Sequence, residues 1–375
     1  MNIGYVNPEY CALRNIIGKC PAHSYVRVRS FKSLFERIGL RLGGKSTGVR
    51  PYVFWGGIAE HLSRVDLFHF WNNIAIWPCR KPYVTTFESS LPRAFPEGRL
   101  LESGLKSLVS NQCRRLIASS ESARELQVKF NADHGIGSVD EKITVLLPPQ
   151  EMLTGFEEVE ERFRSRDKVK VLFCGKDFFR KGGSEIVRAL VRVRQDFPVE
   201  AYLVGDFNHV DYASSWEVDS ADEMRRLIDG NSSWLHHWDR MPNDELLKLA
   251  RTCHVGLLPT RDDTFGYSVL EFQACGLPCI TTDIRALPEV NNTEIGWVIS
   301  VPKKPDRRAD FSTAEKLHEL SEQIENGLVE KLRDALSSQE EVFEKSRCAM
   351  ENLSMRHSPE VFADRLDEIY KEALS

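Results

Sequence analysis

The sequence contains no cysteine pair of the Cys-x-x-Cys type, and its nine cysteines are scattered between Cys11 and Cys348. An odd number without metal-ligand spacing is typical of reduced thiols rather than of a disulfide framework or a zinc site. No run approaches the roughly 18 apolar residues that a membrane span needs. No basic stub followed by an apolar segment marks a secretory signal at the start. These absences predict a cytoplasmic protein.

Three ligand-binding patterns are also missing or incomplete. Residues 39–46 match a P-loop by letter, but helical spacing precedes them and Pro51 follows too closely for the helix that a P-loop requires. Residues 135–137, Gly-Ile-Gly, lack the third glycine of a dinucleotide fingerprint. No Asp-x-Asp occurs, which argues against a metal clamp on a nucleotide sugar. An ATPase that depends on Lys45 stays an open alternative.

The composition is that of a globular protein, with 42% hydrophobic and 28% charged residues among 375, enough for two domains with separate cores. The charge is uneven. Residues 1–150 carry a net charge of +8 and the remaining residues −13. Opposite charges on the two halves suggest surfaces for different partners, although free drift of surface charge would give the same pattern.

The second half alternates short apolar runs with helical patterns. The runs that favour strands are Val169–Cys174, Val199–Val204, Trp234–His237, Val255–Leu258, Cys279–Thr282 and Ile295–Ile299. Such alternation predicts a parallel sheet with right-handed crossovers. Ligands of such sheets bind beyond the carboxyl ends of the strands. In this sequence those ends carry Gly175-Lys176, Asp206, His237-Trp238 and Thr260–Gly266.

The strongest candidate site is a strand that ends at Leu258, a polar loop with Asp263, and a helix that opens at Gly266. The first backbone N–H groups of a helix, here Gly266 to about Val269, have no intrahelical partner and predict an anion site. Glu271 lies a turn deeper, and helical side chains lean toward the N-terminus. Its carboxylate can therefore accept hydrogen bonds from a diol beside a bound phosphate.

A second polar segment, Gly175-Lys176 to Lys181-Gly182, follows the first strand of the same sheet. Lys176 and Lys181 would neutralise a pyrophosphate without a metal. Fixed cations there stabilise a departing diphosphate more than the bound ground state. Arg180 is expected to lie in solvent, as the basic side chains of a loop usually do.

These two segments resemble the nucleotide-sugar domain of glycosyltransferase family 4, from about residue 168 to the C-terminus. Gly175-Lys176 to Lys181-Gly182 is similar to the family's Gly-Arg-x4-Lys-Gly, with lysine in place of arginine. Residues 263–271 are similar to Glu-x-Phe-Gly-x4-Glu, with Asp263 in place of the first glutamate. The first half resembles the family less closely, and Phe87-Glu88 stands where His-Asp is usual.

The resemblance implies an α/β protein of the GT-B fold, with two Rossmann-like, doubly wound domains whose parallel sheets face across a cleft. Residues 1–150 would form an N-terminal acceptor-binding domain, and residues 151–357 a C-terminal nucleotide-sugar-binding domain. Residues 358–375 would form a helix that returns to the N-terminal domain. Gln150 to about Lys168 has the composition of an interdomain connection.

The resemblance also implies a retaining, metal-independent transfer of a sugar from a nucleotide-diphosphate sugar to a glycan or lipid-linked acceptor, with no cofactor. Lys176 and Lys181 would stabilise the diphosphate, Asp263 would lie by the donor sugar, and Glu271 would bind the ribose. Glu88 would orient the acceptor hydroxyl, or would be a strand-end acid without a role. The remaining donor-binding candidates are Gly175, Asp206, His237, Trp238, Phe265, Gly266, Tyr267 and Ser268.

Two further alternatives for the function stay open. A nucleotide-sugar epimerase of the same fold, or a sugar-nucleotide-binding protein that has lost catalysis, would share most of these residues. Residues 27–50 have the pattern of a basic amphipathic helix, which predicts either a peripheral contact with an anionic inner membrane face or an ordinary core helix. Nothing in the sequence indicates nucleic-acid binding.

Overall fold

A computed structural model describes residues 1–6, 8–28, 53–55, 64–76, 79–95, 97–164, 168–207 and 220–375. The chain divides into two compact units. One contains Met1–Pro149 and His357–Ser375, and the other contains Gln150–Arg356. The P-loop-like run, residues 39–46, lies outside the described residues. Of the predicted basic amphipathic helix, residues 27–50, only Arg27 and Val28 are described.

The first unit is built on a six-stranded parallel sheet with the strand order β2-β1-β4-β6-β7-β8, and β3 pairs separately with β5. The strands are β1 Asn2–Tyr5, β2 Ser24–Arg27, β3 Val53–Trp55, β4 Leu67–Trp71, β5 Ile74–Ile76, β6 Tyr83–Phe87, β7 Cys113–Ala118 and β8 Ile143–Val145. Its described helices before residue 150 are Tyr10–Asn15, Arg99–Val109 and Glu121–Asp133, with a 3-10 helix at Gly137–Lys142.

The second unit is built on a six-stranded parallel sheet with the strand order β11-β10-β9-β12-β13-β14. The strands are β9 Val169–Asp177, β10 Val199–Asp206, β11 Leu235–Trp238, β12 Val255–Leu258, β13 Cys279–Thr282 and β14 Gly296–Ile299. The described helices are Phe156–Arg164, Gly183–Val193, Ala221–Asp229, Asn243–Ala250, Tyr267–Ala274, Leu287–Val290, Ala314–Ser337 and Gln339–Arg356. Because all strands are parallel, their carboxyl ends share one edge.

The predicted strands of the second unit lie within three residues of the observed ones. The central strands β12 and β13 are buried throughout, which explains their continuous apolar runs. The polar stretch after Gln150 contains a helix, Phe156–Arg164, rather than a plain connection. Val159 and Phe163 lie one helical turn apart and are buried in the core of the second unit.

The last helix, Pro359–Leu374, belongs to the first unit. It begins after Ser358, whose hydroxyl accepts from the N–H of Val361 at 3.3 Å. Phe362, Leu366, Ile369 and Tyr370 pack on the first sheet. Val361 lies outside this stripe and is 64% exposed, since it precedes Phe362 by about 100° around the helix. Among the described residues, no helix combines the length and apolar character needed to cross a bilayer.

A buried histidine joins this helix to the sheet. Nδ1 of His69 lies 2.7 Å from the Tyr370 hydroxyl, and Nε2 lies 2.8 Å from Oγ1 of Thr86. A neutral imidazole has one donor and one acceptor, and each hydroxyl can supply the complementary role. Burial lowers the pKa of His69 from 6.5 to about 3, so the ring stays neutral in the folded protein at neutral pH.

We expect Tyr370→Phe to lower the free energy of unfolding by about 1–3 kcal/mol, because it leaves a buried nitrogen of His69 without its partner. The measurement is urea unfolding at pH 7. Tyr10→Phe is the matched control, since Tyr10 is 54% exposed, and its effect should stay within about 0.5 kcal/mol. Equal effects of the two substitutions would contradict a structural role for the His69 contact.

We also expect stability to fall as the pH drops from about 6.5 to 4.5. In this range the unfolded chain protonates His69, whereas the folded chain, with its lowered pKa, does not. The unfolded state therefore gains protons, and stability changes by at most about 1.4 kcal/mol per pH unit for this group. Unfolding curves of wild type and His69→Gln test this. A wild-type slope that is no steeper than that of the variant would contradict it.

Candidate functional site

The end of β9 and the loop that follows it fit tightly together because each contains a glycine, Gly175 in the strand and Gly182 in the loop. A Cβ atom on Gly175 would lie 2.7 Å from Cβ of Lys181, and one on Gly182 would lie 2.3 Å from the carbonyl oxygen of Pro259. Gly182 also has a φ of +85°, a conformation that side chains disfavour. The stem of Lys181 therefore crosses directly over the end of β9.

Lys181 forms an ion pair with Asp263, and both side chains are about 15% exposed or less. Burial alone would raise the pKa of Asp263, but the Lys181 ammonium and the N–H of Phe265 outweigh it and hold this pKa below its usual value. The structure thus brings together two predicted site residues from separate loops, as a charged pair.

The helix Tyr267–Ala274 starts at this pair. Gly266 precedes it with a φ of +92°, and a Cβ atom there would lie 2.5 Å from Cδ2 of Leu287. The N–H of Val269 donates to the carbonyl of Gly266 at 2.9 Å, so the expectation that this amide lacks an intrahelical partner is wrong. The predicted anion site therefore ends at the backbone N–H of Ser268 rather than at that of Val269.

Glu271 approaches the same place from inside that helix. Burial raises the pKa of the Cys174 thiol to about 12, and the charge of Glu271 adds to this rise while Lys181 opposes it. Both charges thus act on one side chain near the end of β9. Lys176 follows two residues later with an exposed side chain. Lys176, Lys181, Asp263 and Glu271 accordingly lie at one edge of the second sheet.

Arg180 is not solvated, contrary to expectation. It is only 7% exposed, and its Nε donates to Oδ2 of Asp177 at 3.0 Å. The guanidinium also donates to the carbonyl oxygen of Asp262. Arg180 therefore links the loop after β9 to the loop after β12. Asp177, three residues earlier at the strand end, was the sequence signal for this pairing.

A second buried pair fixes the loop after β12. Nε of Arg261 donates to Oε1 of Glu185 at 3.0 Å, and Ser321 donates to the same oxygen at 2.7 Å. Glu185 is fully buried and Arg261 is 4% exposed. The sequence reasoning missed both residues. The sequence signal for Glu185 was its position four residues before Ala189. This spacing places both residues on the buried face of the helix Gly183–Val193.

Asp262, which lies in the predicted polar loop, and Arg285, which the sequence reasoning missed, form a further part of this edge. Burial raises the pKa of Asp262, and the guanidinium of Arg285 is the strongest charge that opposes this rise. Arg285 has a φ of +48°, and its backbone N–H donates to the carbonyl of Arg307 at 3.0 Å. A non-glycine residue in this conformation is strained, which is common at ligand sites.

Three of the predicted donor-binding residues, Asp206, His237 and Trp238, lie at the ends of β10 and β11. Asp206 accepts from Nη2 of Arg240 at 3.1 Å. Nε2 of His237 donates to the carbonyl of Gly205 at 2.8 Å, and its ring stacks on Phe207 with centroids 4.3 Å apart. His237 is thus held by internal contacts, whereas Trp238 is 40% exposed. Both line a cavity of about 310 Å³ beside β11.

Glu88, the predicted acceptor-side residue, belongs to the first unit and follows β6. It is 9% exposed, and Nη1 of Arg93 approaches its Oε2 at 3.4 Å. Its backbone N–H donates to Oδ1 of Asn72 at 3.3 Å, and Asn72 has a φ of +54°. Glu88 is therefore a mostly buried acid with a cationic neighbour.

Residues 168–320 match the family model described as Glycosyl transferases group 1. The D-inositol 3-phosphate glycosyltransferase of Paenarthrobacter aurescens is 25% identical over 201 residues, which cover 51% of this chain and 46% of that protein. The matched region spans between 34% and 47% of the first curated relatives. The matched family segment contains every candidate residue of the second unit.

Solved structures resemble the whole chain. Anabaena HepE in complex with UDP and glucose has 15% identity and a TM-score of 0.61, with 99% of each chain covered. Sucrose-phosphate synthase of Thermosynechococcus elongatus has 14% identity and a TM-score of 0.61, with 99% of this chain and 98% of that chain covered. With two parallel six-stranded sheets, these similarities confirm the predicted GT-B fold.

We expect Arg261→Met to lower the free energy of unfolding by about 3–5 kcal/mol, because it leaves the Glu185 carboxylate buried without its cation. The double variant Arg261→Met/Glu185→Met should recover most of this loss. Arg192→Met is the control, since its pair with Glu325 is half exposed and worth at most about 1 kcal/mol. Urea unfolding of the four proteins measures the effect. A single-variant loss no larger than the control would show that the pair does not hold the loop.

Proposed function

We propose that the chain is a retaining, metal-independent glycosyltransferase of the family 4 type. It moves a sugar from a nucleotide-diphosphate sugar to a hydroxyl of a glycan or lipid-linked saccharide. The observation that carries the proposal is the convergence of Lys181, Asp263 and Glu271 at the start of one helix, at the carboxyl edge of a parallel sheet. This is where open α/β sheets bind their ligands.

The donor diphosphate binds between Lys181 and the first amides of the helix Tyr267–Ala274. An anion gains from both the ammonium and the helix N-terminus. The phosphate displaces Asp263 from part of the Lys181 ammonium, which has three donors. Lys176, exposed at the same strand end, closes over the β-phosphate. The UDP complex of the structural neighbour HepE supports UDP as the nucleotide.

Glu271 and Asp263 bind the two sugars on either side of the diphosphate, the ribose and the transferred sugar. A carboxylate is an acceptor only, and the ribose diol supplies two donors to Glu271. Asp263, held ionised by Lys181, accepts from hydroxyls of the transferred sugar. Trp238, with its exposed ring, and the backbone around Asp206 bound the space for the base.

Retention follows from transfer on one face. The bond from the anomeric carbon to the phosphate oxygen breaks, and the acceptor oxygen bonds to the same carbon from the same side. The acceptor proton passes to the departing phosphate, so no enzyme base is consumed. Glu88 orients the acceptor hydroxyl.

The alternative that an observation favours is a nucleotide-sugar-binding protein with impaired catalysis. Asp263 is one methylene shorter than the glutamate usual at that position, and Phe87 replaces the usual histidine. Such a protein would bind the donor and yield neither transfer nor hydrolysis. An epimerase would release an altered donor without any acceptor.

We expect Glu271→Gln and Lys181→Met each to weaken UDP binding by about 10- to 150-fold, the equivalent of one charge-assisted hydrogen bond. Lys181→Met should also lower kcat of donor hydrolysis by about 100- to 1,000-fold, because it removes a cation at the developing charge. Titration calorimetry and release of UDP from UDP-sugars measure the two effects. Lys248→Met is the control, since that lysine is 73% exposed and remote in sequence.

The outcomes separate the alternatives. Binding that weakens in the variants without any wild-type turnover identifies an impaired binding protein. An epimerised donor identifies an epimerase. Transfer with an unchanged anomeric configuration by NMR, and a rate that added Mg²⁺ or Mn²⁺ does not change, supports the proposed mechanism. Equal UDP affinity in all variants would remove the site from consideration.

A further inference from the structure

A tight turn in the first unit brings a thiol and an imidazole together. The sequence Cys20-Pro21-Ala22-His23 forms a β-turn in which the N–H of His23 donates to the carbonyl of Cys20 at 3.2 Å. Proline at the second position favours such turns, because its φ is already fixed near −65°. The two potential ligands therefore leave one rigid turn, three residues apart.

The last helix adds a third donor from a distant part of the chain. Oδ1 of Asp367 lies 2.8 Å from Nε2 of His23, although 344 residues separate them. One ligand atom each from Cys20, His23 and Asp367 lies within 4.8 Å of the other two. Sulfur, nitrogen and carboxylate oxygen thus meet at one point between the turn and the helix Pro359–Leu374.

The burial of the cluster favours a ligand there over a surface ion pair. The His23 side chain is 5% exposed, and its Nε2 is the nitrogen that faces Asp367. Cys20 is buried as well. Two of the three potential ligands are thus largely shielded from water.

We propose that Cys20, His23 and Asp367 bind a zinc ion. Thiolate, imidazole and carboxylate are the three protein ligand types that Zn²⁺ accepts in tetrahedral sites, and hard cations such as Mg²⁺ avoid sulfur. Three protein ligands leave the fourth position to a water molecule. The sequence alone does not reveal this site. Its Cys-x-x-His turn is completed by Asp367 of the last helix and not by a second pair of closely spaced ligands.

The metal would fasten the last helix to the start of the chain. Zinc binds the thiolate form of cysteine, so zinc binding would release the proton of the Cys20 thiol. Asp367 also pairs with Lys371 through its other oxygen at 2.5 Å, and this contact orients the carboxylate toward His23. Zinc bound to the folded state but not to the unfolded chain raises the melting temperature.

The test uses the full chain after dialysis against a chelator. Zinc should rebind at one equivalent and raise Tm by several degrees, while Mg²⁺ should not. Cobalt in place of zinc should give a sulfur-to-metal charge-transfer band. Cys20→Ser should lose the band, and His23→Gln and Asp367→Asn should each weaken zinc binding at least tenfold. The control Cys348→Ser removes a partly exposed thiol outside the cluster and should keep both signals.

These readouts do not depend on sugar transfer, so they stand or fall apart from the proposed function. If Cys20→Ser misfolds, as circular dichroism would show, the single His23 and Asp367 variants still decide the matter. The proposal is overturned by substoichiometric zinc, by a cobalt band that survives in Cys20→Ser, or by a Tm that zinc does not change in wild type.

Discussion

The structure of the second unit depends on one buried negative charge, which must be neutralised by a cation. Glu185 is fully buried in the helix Gly183–Val193, and in the described part of the chain Arg261 and two serines donate hydrogen bonds to it. Because Arg261 lies in the loop after β12, the requirement to neutralise Glu185 places that loop. Arg180 then bonds to the carbonyl of Asp262 in the same loop. The loops of the candidate site are thus positioned by buried groups that bind to one another.

At the edge of the sheet beside these groups, two cationic side chains are already paired with carboxylates. Lys181 is paired with Asp263, and Arg180 with Asp177. Under the proposed function, an entering diphosphate would exchange partners with Asp263 at Lys181. Such an exchange would make the carboxylate beside Lys181 available to sugar hydroxyls at the same moment. Binding of the phosphate and recognition of the sugar would then be coupled.

The sequence predicted the elements of the second unit well, because continuous apolar runs identify central parallel strands and Gly266 marks the helix that follows β12. Local patterns could not reveal contacts between distant segments. The Glu185–Arg261 pair spans 76 residues and the Cys20–Asp367 cluster spans 347. Arg180 was misjudged for the same reason, since its burial comes from the neighbouring loop rather than from its own.

The position of the last helix has a consequence for biosynthesis. Phe362, Leu366, Ile369 and Tyr370 complete a core whose other side consists of Ile3, Leu67, Val84 and Ile117. The ribosome synthesises the strands of the first sheet long before it synthesises the last helix. During translation the first unit keeps an apolar face uncovered until residues 357–375 emerge, while the intervening unit has all of its own chain. The domain that is synthesised second is therefore able to fold first.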